Sequence, residues 1–153
     1  MKKNRPRIIA LLMLVLAAAA GIAWAFAAAR PALPADGAAL EIRWHGNGII
    51  LQGAVRDAAT QQVLVEGATA RLGGEANQVV DWLDIAPAAL PVADAASLAS
   101  LIRLGQEGWH LQRHATEAWL AVQSPDDDRS TQARQLLQRA FGPGVAIRLV
   151  PLP

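Results

Sequence analysis

Histidine is the side chain best suited to acid–base or metal chemistry near neutral pH, and the chain contains three: His45, His110 and His114. On an extended strand His110 and His114 share a face, but four residues at about 3.3 Å each hold them roughly 13 Å apart. A turn predicted from His114 to Glu117 leaves shared binding of one metal ion open. Ordinary polar or turn histidines are the simpler interpretation, so no metal site is predicted.

The other polar motifs indicate structural roles. Asp126 to Asp128 lack the alternating oxygen ligands and distal Glu of a calcium loop, and they suit a helix N-terminus. Gly73-Gly74 has no neighbouring lysine to hold a phosphate, and no serine lies in a nucleophile elbow. The absence of cysteine excludes thiolate zinc sites and disulfide scaffolds. We therefore expect no enzymatic activity, no catalytic residue and no cofactor.

Four tryptophans follow residue 40 in a region with one Phe and no Tyr. Tryptophan fills cores when its N–H finds an acceptor, and it is also enriched at protein and lipid interfaces, so both placements stay open. Two of the four are each followed by a histidine near the start of a predicted strand. These two pairs are the better candidates for lipid or partner contact: Trp44, His45, Trp109 and His110.

The N-terminus has the pattern of a membrane anchor. Residues 8–29 contain 21 apolar residues out of 22, and as a helix they would extend about 33 Å at about 1.5 Å per residue, enough for a hydrocarbon core of about 30 Å. Residues 1–7 form a basic stub with four Lys or Arg, whereas only Arg30 follows closely. This asymmetry predicts a single-pass span of the inner (cytoplasmic) membrane, with a cytoplasmic N-terminus and a periplasmic or otherwise extracytoplasmic C-terminal domain.

A cleaved signal peptide is the alternative, because small residues such as Ala27 and Ala29 fit a cleavage site. The apolar run is longer than the usual signal core, and Trp24 and Phe26 suit a membrane interface, which favours a retained anchor. Residues 30–39, with two prolines, are predicted to be a short linker. Residues 36–153 carry nine Arg against thirteen Asp or Glu, so nucleic-acid binding is not expected.

Two similar units are predicted after the linker, at 40–86 and 87–153. The pattern of each unit predicts a strand, a second strand, a helix and a third strand. The second unit has an additional helix at 94–105 before its first strand. A constant offset of 69 residues pairs Leu51 with Leu120 and Asp57 with Asp126, which favours internal duplication over chance similarity. The predicted fold is a two-layer α+β sandwich: about six strands in a mixed sheet with three helices on one face.

The first unit resembles the BON domain family. The similarity lies in Ile49 to Thr60, a strand followed by Gly-x-Val-x-Asp before a helix, and in the Val-Asp step of Val79 to Ile85. In the second unit Gln123-Ser124-Pro125 replaces the Gly-x-Val turn, so its likeness rests on order and spacing. The arrangement is similar to the tandem BON region that precedes OmpA-like domains in some bacterial envelope proteins. This resemblance implies a non-catalytic, envelope-associated domain that binds phospholipid or attaches to membranes.

Two functions remain open at this point. The first is a membrane-anchored module whose extracytoplasmic domain binds phospholipid or an envelope protein. The second is a structural or assembly subunit that docks onto an OmpA-like or secretion-type envelope complex. An uncovered apolar sheet face or an open edge strand would favour the second. The sequence does not indicate the oligomeric state.

The anchor can be tested by fractionation. We expect the full-length, C-terminally tagged protein to remain in salt-washed membranes and to require detergent for release, because the apolar segment spans the bilayer. Immunoblotting of the fractions and N-terminal sequencing provide the measurement. Recovery in the soluble fraction with a shortened N-terminus would instead identify a cleaved signal peptide.

Overall fold

The computed structural model describes residues 39–153. The predicted basic stub, membrane anchor and all of the linker except Ala39 lie outside the described residues. Across residues 39–153, no helix is both long enough and apolar enough to cross a bilayer. The strands and α-helices in chain order are β1 (Leu40–His45), β2 (Gly48–Val55), α1 (Ala58–Arg71), β3 (Val79–Ile85), α2 (Ala95–Leu104), β4 (His110–Arg113), β5 (Glu117–Val122), α3 (Asp128–Phe141) and β6 (Ala146–Pro151), and a short 3₁₀ helix (Ala76–Gln78) precedes β3.

The six strands form one mixed sheet in the order β3-β2-β1-β4-β5-β6. Strand β1 runs antiparallel to both β2 and β4, and β5 runs antiparallel to β4. The outer strands β3 and β6 run parallel to β2 and β5, which is why a helix must connect each of these pairs. The α+β fold with a six-stranded mixed sheet and three helices is therefore confirmed.

The sheet registers relate the two halves closely. Ile42 pairs with Leu51 in the first hairpin and Leu111 pairs with Leu120 in the second, so the predicted offset of 69 holds for both hairpins. The helices differ by one residue, because α1 begins at Ala58 and α3 at Asp128. The helix cap equivalent to Asp57 is consequently Asp127, and the predicted pairing with Asp126 is wrong by one position.

The two halves meet along the antiparallel pair β1 and β4, which we call the seam. Glu41 lies opposite Gln112 and Arg43 lies opposite His110. At an offset of 69, Glu41 is equivalent to His110 and Arg43 is equivalent to Gln112. A rotation that superimposes one half on the other therefore places the pair Glu41–Gln112 on the pair His110–Arg43. An approximate twofold axis therefore passes between β1 and β4.

One face of the sheet packs against the helices. The alternate residues Leu40, Ile42 and Trp44 of β1 join Leu111 of β4 and the buried side of each helix in one core. Helix α2 packs against both α1 and α3, and a Cβ added at Gly67 of α1 would lie only 2.9 Å from the Cβ of Ala99 on α2. The other face, called the outer face below, has no helix packed on it within residues 39–153.

Each α-helix begins with an aspartate that caps its N-terminus. Asp57, Asp94 and Asp127 accept hydrogen bonds from the backbone N–H three residues later, at 2.7, 3.1 and 2.6 Å. These backbone hydrogen bonds are the main reason that the pKa of Asp57 and of Asp127 is lowered. For Asp94 the main cause of the lowered pKa is the hydrogen bond from the hydroxyl of Ser97, followed by its backbone hydrogen bond. Ionisation of the three aspartates therefore stabilises the folded state relative to the unfolded state.

The caps predict a pH-dependent stability. Because their folded-state pKa lies below the unfolded value of about 3.9, the caps contribute above that pH and are lost as pH falls through the folded value. We expect urea unfolding midpoints to fall less between about pH 5 and 3 when Asp57, Asp94 and Asp127 are all changed to Asn, a neutral capping residue. Asp126→Asn is the control and should behave as wild type. Identical pH profiles for all three proteins would contradict this assignment.

Candidate binding site

The structure brings the four predicted contact residues together at one end of the seam. The backbone N–H of Trp44 donates to the carbonyl of Trp109 at 3.0 Å. A cavity of about 360 Å³ lies at this point, and its lining consists of Arg43, Trp44, His45, Gly108, Trp109 and His110. A smaller cavity of about 130 Å³ adjoins Trp44 and His45 on the side of Arg71 and Glu107.

Both tryptophans of this group belong to the core. Trp44 is 3% exposed and Trp109 is 1% exposed, and their rings meet edge to face with centroids 6.2 Å apart. Each indole N–H is satisfied: Trp44 donates to the carbonyl of Ile102 at 2.9 Å, and Trp109 donates to Oε1 of Gln123 at 2.5 Å. The expectation that these indoles meet a lipid or partner is therefore wrong, because both are enclosed between sheet and helices.

The two histidines behave differently. His45 is exposed at the end of β1, whereas His110 is half-buried and its Nε2 contacts Oε1 of Glu41. His114 lies elsewhere, beside the ring of Trp119 with centroids 5.8 Å apart. No cluster of three metal-binding side chains occurs among the residues that the structure describes.

Glu41 is a buried acid in the middle of the outer face. Its side chain is 3% exposed, and Oε1 accepts from Nε and Nη2 of Arg43 at 2.6 and 2.5 Å as well as contacting His110. Its other oxygen, Oε2, is buried and has no hydrogen-bond partner within residues 39–153. Oε1 thus contacts three side-chain nitrogens, two of Arg43 and one of His110, while Oε2 contacts none within the described chain.

Strand register arranges the outer face in rows that cross all six strands. The row through Glu41 contains two tryptophans and two glutamines, and we call it the tryptophan row: Trp82, Gln52, Glu41, Gln112, Trp119 and Arg148. The row beside it is mostly aliphatic, and we call it the aliphatic row: Val80, Ile50, Arg43, His110, Ala121 and Val150.

The exposed indoles of the domain lie in the tryptophan row. Trp82 is 41% exposed and Trp119 is 39% exposed. The sequence left the placement of Trp82 and Trp119 open and favoured the other two tryptophans, and nothing in it singled out Glu41 or Arg43. Alternation along β5 was one available signal, because Trp119 lies between Ala118 and Leu120, which are buried. The sequence did not indicate which strands are neighbours in the sheet.

A second charged group is buried on the opposite side of the sheet. Arg113 faces the core, with its guanidinium 5.0 Å from the ring centroid of Phe141 and Nη1 at 3.5 Å from the carbonyl of Glu117. Burial lowers the pKa of Arg113. The cation–π contact accounts for its position under α3, so we interpret Arg113 as structural.

Removing His110 should destabilise the fold more than removing His45. His110→Ala deletes a partner of the buried Glu41 carboxylate, and we expect a loss of roughly 1–3 kcal/mol in the free energy of unfolding. The control variant His45→Ala should change the free energy of unfolding by less than about 0.5 kcal/mol, because His45 is exposed. Urea titration measures both values. Equal losses would show that the Glu41 contact contributes nothing.

No protein-family model matches the chain, and comparison with curated proteins gives no match. The likeness to the BON family therefore stays a prediction from the residues quoted above. The structural observations that bear on function are the outer face, its two exposed indoles and the buried Glu41 between them.

Proposed function

We propose that the chain is a membrane-anchored, non-catalytic, BON-like envelope protein whose extracytoplasmic domain binds phospholipid or an envelope partner through its outer face. The exposure of Trp82 and Trp119 on a sheet face without a helix layer is the observation that carries this proposal. Both the anchor and the cellular location rest on residues 1–38, whose sequence pattern supports them.

The outer face has the composition of a contact surface. Beside the two indoles it presents the half-buried aliphatic residues Ile50, Val80 and Val150. Tryptophan offers a large apolar ring with a polar N–H, which is why it is enriched where protein meets protein or lipid headgroups. Together with the neighbouring aliphatic residues, the two rings give a bound lipid or protein apolar surface to bury.

The non-catalytic part of the proposal rests on the side chains present. His110, the half-buried histidine of the large cavity, contacts Glu41, which also binds Arg43. Glu41 is thus charge-paired with Arg43 on its own strand, and its contact with His110 crosses the seam and links the two halves of the sheet. Such a cross-strand contact stabilises the seam without requiring a substrate.

An assembly role is the second candidate, and both the uncovered outer face and the open edges of the sheet favour it. Among the strands of residues 39–153, β3 pairs only with β2, and β6 pairs only with β5. An unpaired edge can accept a strand from another protein. On this reading the domain docks onto an OmpA-like or secretion-type envelope complex, and chemical crosslinking in cells that yields only monomer would count against it.

Cosedimentation with liposomes tests the lipid branch. The compact unit Ala35–Pro153 contains the whole described core and can be used without the anchor, once circular dichroism confirms its fold. We expect it to bind vesicles, and the double variant Trp82→Ser, Trp119→Ser to bind at least about tenfold more weakly, because burial of indole surface is lost. Ile85→Ser is the control, since Ile85 is 52% exposed but does not lie on the outer face.

The vesicles should be prepared with anionic and with zwitterionic lipids. Absence of sedimentation with both compositions would remove phospholipid as the ligand and leave the envelope partner. Equal weakening by Ile85→Ser would show that apolar surface in general, rather than the outer face, meets the membrane.

A further inference from the structure

The tryptophan row and the aliphatic row occupy equivalent positions in the two halves of the sheet. At the hairpin offset of 69 residues, Gln52 corresponds to Ala121 and Trp119 corresponds to Ile50. The fold therefore accepts small or aliphatic side chains at positions where the tryptophan row has an amide and an indole. The chemistry of the tryptophan row is not needed to build the sheet, so it requires another explanation.

Several polar groups of the tryptophan row are available to a ligand. Gln52 and Gln112 flank Glu41 on the two neighbouring strands, and both amides are half-buried. Between them Oε2 of Glu41 is buried and unpartnered within the described chain. A buried acceptor without a donor is unfavourable, and reorientation of either amide could supply the donor. Ligand contact that orders the two amides would complete this network.

The charges of the tryptophan row are balanced within the protein. Glu41 is paired with Arg43, and Nε of Arg148 lies 3.2 Å from Oε2 of Glu117. A row with no uncompensated charge suits a neutral ligand better than a phosphate headgroup or another anion. An extended peptide is also a poor fit, because peptides add to a sheet at its edge through backbone hydrogen bonds, and on the face those groups are already paired.

The geometry points to a linear, neutral glycan as the ligand of the tryptophan row. A pyranose ring has an apolar C–H face that stacks on an indole, and its hydroxyls exchange hydrogen bonds with amides and carboxylates. Trp82 and Trp119 lie four strand spacings apart, roughly 19 Å at about 4.8 Å per spacing, so the ligand is a chain of several rings.

Each member of the row then has a distinct role. Trp82 and Trp119 are stacking platforms at the two ends, and Gln52 and Gln112 contact hydroxyls between them. Glu41 is a positioning residue, since it lies between the two amides on the neighbouring strands and binds Arg43. This inference rests on the proposed use of the outer face as a binding surface and names the ligand chemistry for it.

Calorimetric titration of the full chain in detergent micelles tests the inference, with cellohexaose and chitohexaose as probes and their disaccharides as length controls. We expect a hexaose to bind and the matching disaccharide to bind far more weakly. Trp82→Ala and Trp119→Ala should each weaken hexaose binding at least about tenfold, as loss of one base-stacking aromatic does in nucleic-acid proteins. Glu41→Gln should weaken it less.

Variants in the aliphatic row are the matched controls. Ile50→Ala and Val80→Ala should keep hexaose affinity within about twofold, with near-ultraviolet circular dichroism confirming the fold of every variant. Failure of both hexaoses to bind would overturn the glycan inference, as would equal losses in the two rows. Vesicle binding through Trp82 and Trp119 without sugar binding would overturn it while leaving the proposed function intact.

Discussion

The structure depends on the antiparallel pairing of β1 with β4. Each half contributes three strands and the helix that connects its parallel pair. Without the other half, the edge of β1 or of β4 would be unpaired. The seam closes that edge by joining Leu40–His45 to His110–Arg113, and α2 packs between α1 and α3 on the helix side. With the seam in place the two small sheets share one core, which buries a larger fraction of the chain's surface than two separate units of this length would.

The seam also determines the two surfaces of the candidate site. Because side chains alternate along a strand, the register that places Trp44 and Trp109 in the core places Glu41 and His110 on the outer face. The same alternation, continued through β2, β3 and β5, aligns the exposed indoles with Glu41 in one row. A one-residue shift of the seam would turn the side chains of one half to the opposite face, so the buried carboxylate and the tryptophan row both depend on this register.

The local part of this arrangement could be predicted from the sequence, and the cross-strand part could not. Turn residues, helix periodicity and capping acids predicted every described strand and α-helix in order, with Asp127 rather than Asp126 as the third cap, but not the 3₁₀ helix Ala76–Gln78. Alternation in Leu40 to His45 already places Trp44 with the apolar residues. The neighbours of Trp82 and Trp119 depended on pairings between distant strands, for which a single sequence contains no direct signal.

Hydroxyl-radical footprinting of the full-length protein in its native membrane, compared with the purified Ala35–Pro153 unit, tests most directly whether the outer face is occupied in the cell. If the outer face is occupied there, Trp82 and Trp119 will be oxidised in the purified unit and protected in the membrane. Ile85, which is exposed but not on that face, should react equally in both. Equal oxidation of both tryptophans in the two states, or protection confined to the helix layer, would contradict occupation of the outer face.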